Sequence, residues 1–345
     1  MIENTERTEI SNLGEFGLIS RITNGIEFQN ISSIIGVGDD AAVIQLPEGT
    51  QLLVSTDLLL EGVHFDLSYT PLRHLGYKAV VVNISDIVAM GGTPSQIVVS
   101  LGLSNRFSVE AVEELYAGIG LACEKYKVDL VGGDTSNSKQ GLLINMTALG
   151  YAKPDEIIYR SGAGKSDLIC VTGDLGAAYL GLQILEREKR VYLENPDAQP
   201  DLEPYDYIVG RQLKPECPVE LLEDLRKAGI KPTAMMDISD GLASELFHIS
   251  SQSNVGVVIY EEKLPIDQQT WTVAEEFNLA PATVAYSGGE DYELVFTVPP
   301  TEFEKLRSIN NVHVIGHCTE PAEGLHTITR SGTRISLEKQ GWTAF

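Results

Sequence analysis

Acidic residues recur in this chain where an apolar run gives way to Gly, Ser or Thr. An acid that directly follows an apolar run such as residues 51–54 is more typical of a functional site at a strand end than of a solvated surface. Any one of these acids could equally be a helix cap or a turn residue, but five such motifs together favour a shared role. The five are Gly36-Val-Gly38-Asp39-Asp40, Ser55-Thr56-Asp57, Gly132-Gly133-Asp134-Thr135, Asp237-Ile238-Ser239-Asp240-Gly241 and Ser287-Gly288-Gly289-Glu290-Asp291.

The donor set in these motifs points to a hard cation. Carboxylate and hydroxyl oxygens without clustered His or Cys favour Mg²⁺ over zinc, and the absence of an Asp-x-Asp-x-Asp-Gly loop favours Mg²⁺ over Ca²⁺. Several acids in one cleft repel each other unless more than one cation is bound. We therefore predict strand ends that converge on a site with several metal ions, suited to handling phosphates.

The elements that must position these acids form a mixed α/β domain between residues 34 and about 151. Strands are predicted at 51–54, 96–103 and 142–149, and a helix at 109–125. Residues 77–90 are rich in Val, yet their apolar positions recur at helical intervals, which predicts a helix. On that helix Asn83 and Asp86 share a face, and Gly91-Gly92 followed by Pro94 marks its end.

The second half of the chain reads as another α/β domain, with the boundary near residue 152. A strand is predicted at 167–172, and helices at 176–187 and 218–228. The stretch 193–207 is acidic and contains three prolines, so we expect a surface excursion there.

Composition limits the classes of partner. The 345 residues include 49 Asp and Glu against 25 Lys and Arg, a net charge of -24, which argues against nucleic acid or an anionic membrane as partner. Four scattered cysteines support neither a disulfide framework nor a zinc ribbon, and no apolar run approaches the length of a membrane span. A cytoplasmic protein is expected.

Two phosphate-binding motifs are only partly matched. Gly162-Ala-Gly164-Lys165-Ser166 contains the Gly-Lys-Ser of a P-loop, but Tyr159 stands where the motif needs its first glycine. Gly36-Val-Gly38-Asp39-Asp40-Ala41 fits a dinucleotide fingerprint but is followed by a strand pattern and not by a helix. Any nucleotide chemistry must therefore use another scaffold.

The ordered set of motifs resembles the thiamine-monophosphate kinase family, which belongs to the superfamily of aminoimidazole ribonucleotide synthetase. The resemblance runs from about Gly14 to the C-terminus, and only the segment 193–207 is longer than the family pattern suggests. Besides the five acidic motifs it includes Glu15-Phe16-Gly17-Leu18-Ile19, Gly62-Val-His64-Phe65, Asn83-Ile-Ser85-Asp86, Met90-Gly91, Arg160-Ser161-Gly162-Ala163 and Tyr292-Glu293.

The resemblance implies a fold and a reaction. The fold is the two-domain PurM-like fold of the α/β (α+β) class. Residues 1–152 form an ATP- and Mg-binding domain whose sheet pairs in a homodimer, and residues 153–345 form a second α/β domain that completes the active-site cleft. The reaction is ATP-dependent phosphorylation of thiamine monophosphate to thiamine diphosphate, by direct in-line transfer assisted by Mg²⁺ and without a covalent enzyme intermediate. An ionised phosphate acceptor needs no general base, so catalysis reduces to aligning two anions and neutralising their repulsion.

The resemblance also implies roles for individual residues. Asp39 is either a ligand or a structural residue, and Tyr116 either flanks the nucleotide or belongs to the core, as aromatic residues on amphipathic helices often do. The Mg²⁺ ligands are Asp40, Ser55, Thr56, Asp57, Asp86, Asp134, Asp237 and Asp240, among which Asp57, Asp86, Asp134 and Asp240 are the catalytic acids. ATP is contacted by Gly133, Asp134, Arg160 and Ser239, with Arg160 as a bidentate phosphate donor. Thiamine monophosphate is contacted by His64, Glu290 and Trp342.

Other readings share the scaffold or the cleft. A selenophosphate synthetase is expected to carry a reactive Cys near its N-terminus, whereas the first cysteine here is Cys123. The hydrogenase maturation protein of the superfamily is expected to end in a cysteine-bearing tail, unlike Trp342-Thr-Ala-Phe345. Aminoimidazole ribonucleotide synthetase itself and a non-catalytic sensor of metal or nucleotide remain alternatives, and turnover with thiamine monophosphate distinguishes them.

Overall fold

The computed structural model describes residue 8 and residues 10–35, 42–197 and 199–337. Contacts divide the chain into two units, Met1–Ile87 with Gly92–Asp155 and Val88–Gly91 with Glu156–Phe345. No helix in the described ranges is both long enough and apolar enough to cross a membrane.

The first unit is a four-stranded sheet with helices. Its strand order is β3-β6-β4-β5, in which β4 and β5 are parallel and the other neighbours antiparallel. A short pair, β1 with β2, lies outside this sheet. In chain order the elements are α1 (Ile10–Thr23), β1 (Ser33–Ile35), β2 (Val43–Ile44), β3 (Gln51–Leu60), α2 (Leu72–Ala89), β4 (Thr93–Leu103), α3 (Val109–Tyr126), β5 (Asp129–Asn137) and β6 (Leu143–Ala152).

The helix predicted at 77–90 is confirmed as α2, because its apolar positions are buried on one side. Val80, Ile84 and Val88 are fully buried at intervals of four residues. A side chain at Gly118 of α3 would place its Cβ 1.9 Å from the carbonyl oxygen of Arg73, so α2 and α3 pack with their backbones in close contact. This tight pair fixes where α2 presents Asn83 and Asp86.

The strand predicted at 51–54 is much longer than expected, and this changes the place of its acid. All ten residues of β3 pair in register with β6, so Ser55, Thr56 and Asp57 lie in the middle of the strand and not at its end. Asp134 likewise lies inside β5. The idea that these acids sit at strand ends is therefore wrong for both motifs, because polar residues alternate with apolar ones along a half-exposed strand without ending it.

The second unit is a seven-stranded sheet with helices. Its strand order is β13-β12-β9-β11-β7-β10-β8, antiparallel throughout except for the β12–β9 pair. In chain order the elements are β7 (Leu168–Thr172), α4 (Ala177–Glu194), α5 (Asp206–Leu213), α6 (Glu220–Ala228), β8 (Ala234–Asp237), α7 (Leu242–Ser253), β9 (Gly256–Tyr260), α8 (Gln268–Glu276), α9 (Pro281–Ser287), β10 (Leu294–Val298), α10 (Phe303–Leu306), β11 (Val312–Thr319), β12 (Leu325–Ile328) and β13 (Arg334–Ser336).

The segment predicted as an excursion, 193–207, is partly helical. The helix α4 extends to Glu194, a 3-10 turn covers Glu203–Tyr205, and α5 begins at Asp206. The sequence did not predict α5, whose eight residues include the buried Ile208 and Leu213. This helix packs against α4 and reaches the loops that follow β7 and precede β10.

A group of buried ionisable side chains surrounds α5. The Glu293 carboxylate accepts hydrogen bonds from Thr172 Oγ1 at 2.6 Å and from Arg211 Nη2 at 3.1 Å. The neighbouring Asp291 has no exposed surface, and its Oδ2 accepts the Gly176 N–H at 2.9 Å. Burial raises the pKa of Asp291 to about 7, although the Arg211 guanidinium and the Gly176 N–H act in the opposite direction. Burial also raises the pKa of Glu293.

These pKa directions predict how Asp291 links pH to stability. A carboxyl whose pKa is raised by folding stabilises the fold while it is protonated, so its contribution is complete below its unfolded pKa and is lost as pH rises through about 7. In Asp291→Asn an amide oxygen can still accept the Gly176 N–H, but nothing titrates. We expect the melting temperature of Asp291→Asn, relative to the unsubstituted chain, to be several degrees higher at pH 8 than at pH 4, since one pKa unit corresponds to about 1.4 kcal/mol.

The measurement is thermal unfolding at both pH values. Asp201→Asn, at an exposed position of the same unit, is the matched control and should show no such difference. Equal offsets for Asp291→Asn at pH 4 and pH 8 would mean that folding does not raise the pKa of Asp291.

Candidate functional site

One group of predicted site residues meets where α2 packs on β3 in the first unit. Ser55 Oγ donates a hydrogen bond to Asp86 Oδ2. The Asp57 N–H donates to Asn83 Oδ1 at 3.0 Å, and the buried Asn83 amide donates in turn to the Ala79 carbonyl at 2.9 Å. The predicted shared face of Asn83 and Asp86 is therefore the face turned to β3, and it brings Asp86 to Ser55 and Asn83 to Asp57.

Thr56 is not part of that group, because it lies on the other face of the sheet. Ser55 and Asp57 pair with Ala148 and Met146, which are fully buried, whereas Thr56 is exposed. The Thr56 hydroxyl donates to the Met146 carbonyl at 3.0 Å and accepts from Thr147 Oγ1 at 3.1 Å. Its side chain therefore does not join the oxygen donors of Asp57 and Asp86.

Tyr116, Gly133 and Asp134 form a second group along the edge strand β5. They line one recess together with Ile19, Ile22 and Thr23 of α1. A Cβ at Gly133 would lie 2.2 Å from the Val99 carbonyl oxygen, so only glycine fits there. Burial raises the pKa of Tyr116 to about 12, which keeps its phenol protonated and able to donate.

Asp134 is separated from Asp57 by the width of the sheet. The two strands are opposite edges, and three strand spacings amount to roughly 14 Å between their backbones. Across the sheet, the residues in register with Asp57 are Met146, Val99 and Gly133. Asp134 is therefore one residue out of register with Asp57. The first unit thus holds two separate groups of donors and not one compact cluster.

His64 lies in the turn after β3. The ring Nδ1 of His64 accepts a hydrogen bond from the Leu60 backbone N–H at 3.0 Å, and the backbone N–H of His64 donates to the Leu60 carbonyl at 2.9 Å. A neutral imidazole with Nδ1 as acceptor carries its proton on Nε2, so this contact sets both the ring orientation and the tautomer.

The second unit gathers a third group around the end of β8. Asp237 is the buried last residue of this strand. The Met235 N–H donates to the Tyr159 carbonyl at 3.0 Å, which brings the exposed Arg160 alongside the strand. Beyond the strand end, the Ser239 carbonyl accepts the Glu290 N–H at 2.7 Å. Asp237, Ser239, Arg160 and Glu290 therefore come together although they span 130 residues.

The loop that carries Glu290 is held in an unusual conformation. Glu290 has a φ of 60° and Tyr292 a φ of 52°, in the left-handed region that a bulky residue rarely adopts. The Tyr292 N–H donates to the Ile238 carbonyl at 3.0 Å, and the Tyr292 side chain is buried. Such strain persists only where the surroundings fix it, and it is concentrated at functional sites.

Two residues at this site escaped the sequence analysis. Glu245, in the first turn of α7, is buried and accepts the Asp240 N–H at 2.9 Å through Oε1. Burial raises the pKa of Glu245 to about 8; the Asp240 N–H hydrogen bond and the Arg160 charge oppose this shift, and the Asp237 and Asp240 carboxylates add to it. An acid one turn into a helix is a familiar capping signal, so Glu245 could have been found. Gln212, whose Nε2 donates to Glu290 Oε2 at 2.6 Å, carries no such signal, because the contact is purely tertiary.

Some predicted ligands cannot be placed. Asp39, Asp40 and Trp342 lie outside the described residues. Among the residues that are described, no three His, Cys, Asp or Glu side chains are grouped so that they could hold a metal ion.

The chemistry of the placed donors is nevertheless consistent with a hard divalent cation. Ser55, Asp57 and Asp86 offer oxygen atoms only, and the Asp57 Oδ2 is enclosed from solvent. An enclosed carboxylate is stabilised by a nearby cation. In the second unit, Arg160 is exposed, follows the Tyr159 carbonyl that pairs with β8, and acts electrostatically on Glu245, and its guanidinium suits a phosphate.

Comparison with known proteins matches both halves of the chain. The family "AIR synthase related protein, N-terminal domain" matches residues 38–152, and "AIR synthase related protein, C-terminal domain" matches residues 165–327. The chain is 34% identical to the thiamine-monophosphate kinase of Aquifex aeolicus (strain VF5) over 337 residues, covering 97% of this chain and 99% of that protein. It is also 34% identical to that of Bacillus subtilis (strain 168), covering 96% and 100%.

A solved structure agrees with these relatives. The structure of AaThiL complexed with AMPPCP and TMP is 33% identical, has a TM-score of 0.74, and covers 99% of this chain and 100% of that one. The predicted two-domain PurM-like fold is thereby confirmed. The chain belongs to the thiamine-monophosphate kinase family.

Proposed function

We propose that this chain transfers the γ-phosphoryl group of ATP to thiamine monophosphate, giving thiamine diphosphate and ADP. The observation that carries the proposal is the nearly full-length similarity to kinases of this name and to a relative complexed with AMPPCP and TMP. The site residues described above supply the groups that such a reaction needs.

The reaction is a direct in-line transfer. An oxygen of the thiamine monophosphate phosphate attacks the γ-phosphorus of ATP, a new P–O bond forms, and the bond from the γ-phosphorus to the β–γ bridging oxygen breaks, releasing ADP. The attacking phosphate is already ionised near neutral pH, so no base has to remove a proton and no enzyme group becomes phosphorylated. What the protein must supply is alignment and compensation of negative charge.

Acidic residues of the first unit are proposed to hold Mg²⁺ ions. Ser55, Asp57 and Asp86 form one donor group and Asp134 another, and Asp40 is assigned by the family pattern, whereas the Thr56 side chain faces away from Asp57 and is not proposed as a ligand. In the second unit Asp237 and Asp240 are proposed ligands beside Ser239. Bound Mg²⁺ would neutralise the phosphate oxygens of both substrates. Asp57, Asp86, Asp134 and Asp240 are the proposed catalytic residues.

The nucleotide is proposed to contact residues of both donor regions. Gly133 and Asp134 share a recess with Tyr116, and this proximity supports Tyr116 as a nucleotide contact. Arg160 is exposed beside β8 and can donate two parallel N–H groups to a phosphate. Ser239 contributes its hydroxyl or backbone at the turn after that strand.

Thiamine monophosphate is proposed to contact Glu290, His64 and Trp342. The Glu290 carboxylate can accept hydrogen bonds from the exocyclic amine of the aminopyrimidine. The His64 ring is fixed by Leu60, and the Trp342 indole suits stacking on the pyrimidine or attraction of the cationic thiazolium. In domain terms, residues 1–152 bind ATP and Mg²⁺, and residues 153–345 complete the site.

A homodimer is proposed through the open face of the first unit's sheet. The side chains of Leu52, Val54 and Leu58 are 44%, 59% and 45% exposed and lie on one face of β3, an edge strand of a regular sheet. An apolar sheet face of this kind is more typical of an interface than of a solvated surface. A cytoplasmic location is proposed as well, because the reaction uses ATP and the four cysteines are free thiols.

The test of the activity is ADP release from the purified protein with Mg-ATP and one acceptor at a time. We expect ADP and thiamine diphosphate with thiamine monophosphate, and background rates with thiamine, with aminoimidazole-pathway substrates or without an acceptor. Release with a different acceptor would assign the chain another reaction on the same fold. ATP binding without any release would point to a sensor.

Removing one carboxylate charge from the Ser55–Asp86 group tests the metal site. Asp57→Asn and Asp86→Asn should each lower kcat by about 10²- to 10³-fold, as loss of one electrostatic contact typically does, and should raise the Mg²⁺ concentration needed for half-maximal rate. Glu124→Gln, at an exposed position of α3, removes the same charge and should change neither quantity. Unchanged Mg²⁺ dependence in an Asp variant would remove that residue from the site.

Light scattering tests the assembly. We expect twice the chain mass at micromolar concentration, and a shift towards the monomer in Val54→Asp, because the buried charge would lack a partner. Val191→Asp introduces the same change at an exposed valine of the second unit and should leave the mass unaltered. A monomeric mass for the unsubstituted chain contradicts the dimer.

A further inference from the structure

Gln212 of α5 touches Glu290 through its side chain. Its amide Nε2 lies 2.6 Å from Glu290 Oε2, and the Gln212 side chain is buried. An ionised carboxylate can only accept hydrogen bonds, so the amide must turn its NH₂ group towards it. The contact therefore fixes both the rotation of the amide and one oxygen of the carboxylate.

The helix that carries Gln212, α5, packs closely against α4. A Cβ at Gly181 of α4 would lie 2.3 Å from the Ile208 carbonyl oxygen and 2.8 Å from Gln212 Cβ, so only a glycine lets the two helices approach this closely. The backbone of α5 at Gln212 is thus held against α4. A side chain that projects from such a position has little freedom to follow a moving partner.

Two further side chains tie α5 to loops of the same unit. The Tyr207 hydroxyl donates to Asp174 Oδ2 at 2.6 Å. Arg211 Nη2 donates to the Asp174 carbonyl and to Glu293 Oε1, each at 3.1 Å. Side chains of α5 therefore bind this segment at two residues, Arg211 at Glu293 and Gln212 at Glu290.

Glu290 is restrained from the opposite side by its own backbone. Its N–H donates to the Ser239 carbonyl at 2.7 Å, and its φ of 60° is maintained by that contact and by the Tyr292–Ile238 hydrogen bond. The end of β8 therefore positions the backbone of Glu290, and α5 positions its carboxylate.

We infer that Gln212 is a positioning residue for thiamine monophosphate: it holds the Glu290 carboxylate in the orientation that accepts the amine of the aminopyrimidine. This rests on the proposed function and on the proposed role of Glu290. A carboxylate already oriented loses less rotational freedom when the substrate binds, so the Gln212 contact favours thiamine monophosphate and not ATP. Gln212 itself touches no reacting atom.

The experiment compares steady-state kinetics of Gln212→Ala and Gln212→Met with those of the unsubstituted chain. Met matches Gln in length and lacks the donor. We expect the KM for thiamine monophosphate to rise about tenfold or more in both variants, as for the loss of a hydrogen bond to a charged group, with kcat and the KM for ATP within about twofold. Gly210→Ala, on the same helix with no atom within 4 Å of the added Cβ, is the control and should leave every constant unchanged.

A double-mutant cycle shows whether Gln212 acts through Glu290. In a Glu290→Ala background, Gln212→Ala should cause no further rise in the KM for thiamine monophosphate. A full additional rise, or equal rises for both substrates, would overturn the positioning role. Activity of the unsubstituted chain with unchanged constants in both Gln212 variants refutes the inference alone, whereas absence of that activity refutes the proposed function and the inference together.

Discussion

Carboxylates enclosed within the protein set the main constraint on this structure. An enclosed carboxylate is costly unless N–H or O–H donors or a cation compensate it, so each one dictates what must surround it. Asp129, for example, accepts the Asn30 N–H at 3.0 Å and thereby ties the segment before β1 to the start of β5. The same requirement pairs Ser55 with Asp86, the Asp240 N–H with Glu245, and Gly176, Thr172 and Arg211 with the acids near α5.

Much of the fold could be predicted because the spacing of apolar residues along the sequence indicates helices and strands. The helix α2 was recognisable from the spacing of residues such as Val80 and Ile84, even though valine favours strands. The length of β3 could not be predicted, because the sequence around Ser55 and Asp57 does not show that α2 packs against this strand. A polar residue within a strand looks the same in sequence as one at its end. The short helix α5 was missed because its burial depends on α4, whose Gly181 permits the close approach.

The candidate site follows the same division between local and tertiary information. Sequence motifs predict a ligand role for acids such as Asp57, Asp86 and Asp237 from residue type and context alone. They could not give sheet register, which places Thr56 on the face opposite Asp57 and sets Asp134 on the far edge strand. The motifs also could not reveal a partner such as Gln212, which lies 78 residues from Glu290. Its side chain reaches the Glu290 carboxylate because α5 packs closely against α4.

The proposed chemistry gives the site residues two different tasks. Transfer from one phosphate to another needs charge compensation and alignment but no proton acceptor, and the proposed oxygen donors Asp57 of β3 and Asp86 of α2 would meet that need by holding Mg²⁺. Selecting one phosphate ester among many is a different task, because the phosphate group is the same in all of them. It requires a polar group held in a defined orientation against the rest of the substrate. The left-handed backbone at Glu290 and Tyr292 is an unfavourable conformation that contacts with the turn after β8 maintain, while Gln212 of α5 holds the Glu290 carboxylate. Such conformations are concentrated at functional sites. Under the proposed roles, charge compensation comes from oxygen donors such as Asp57 and Asp86, whereas recognition of thiamine monophosphate depends on the packing of α5 against α4, which positions Gln212.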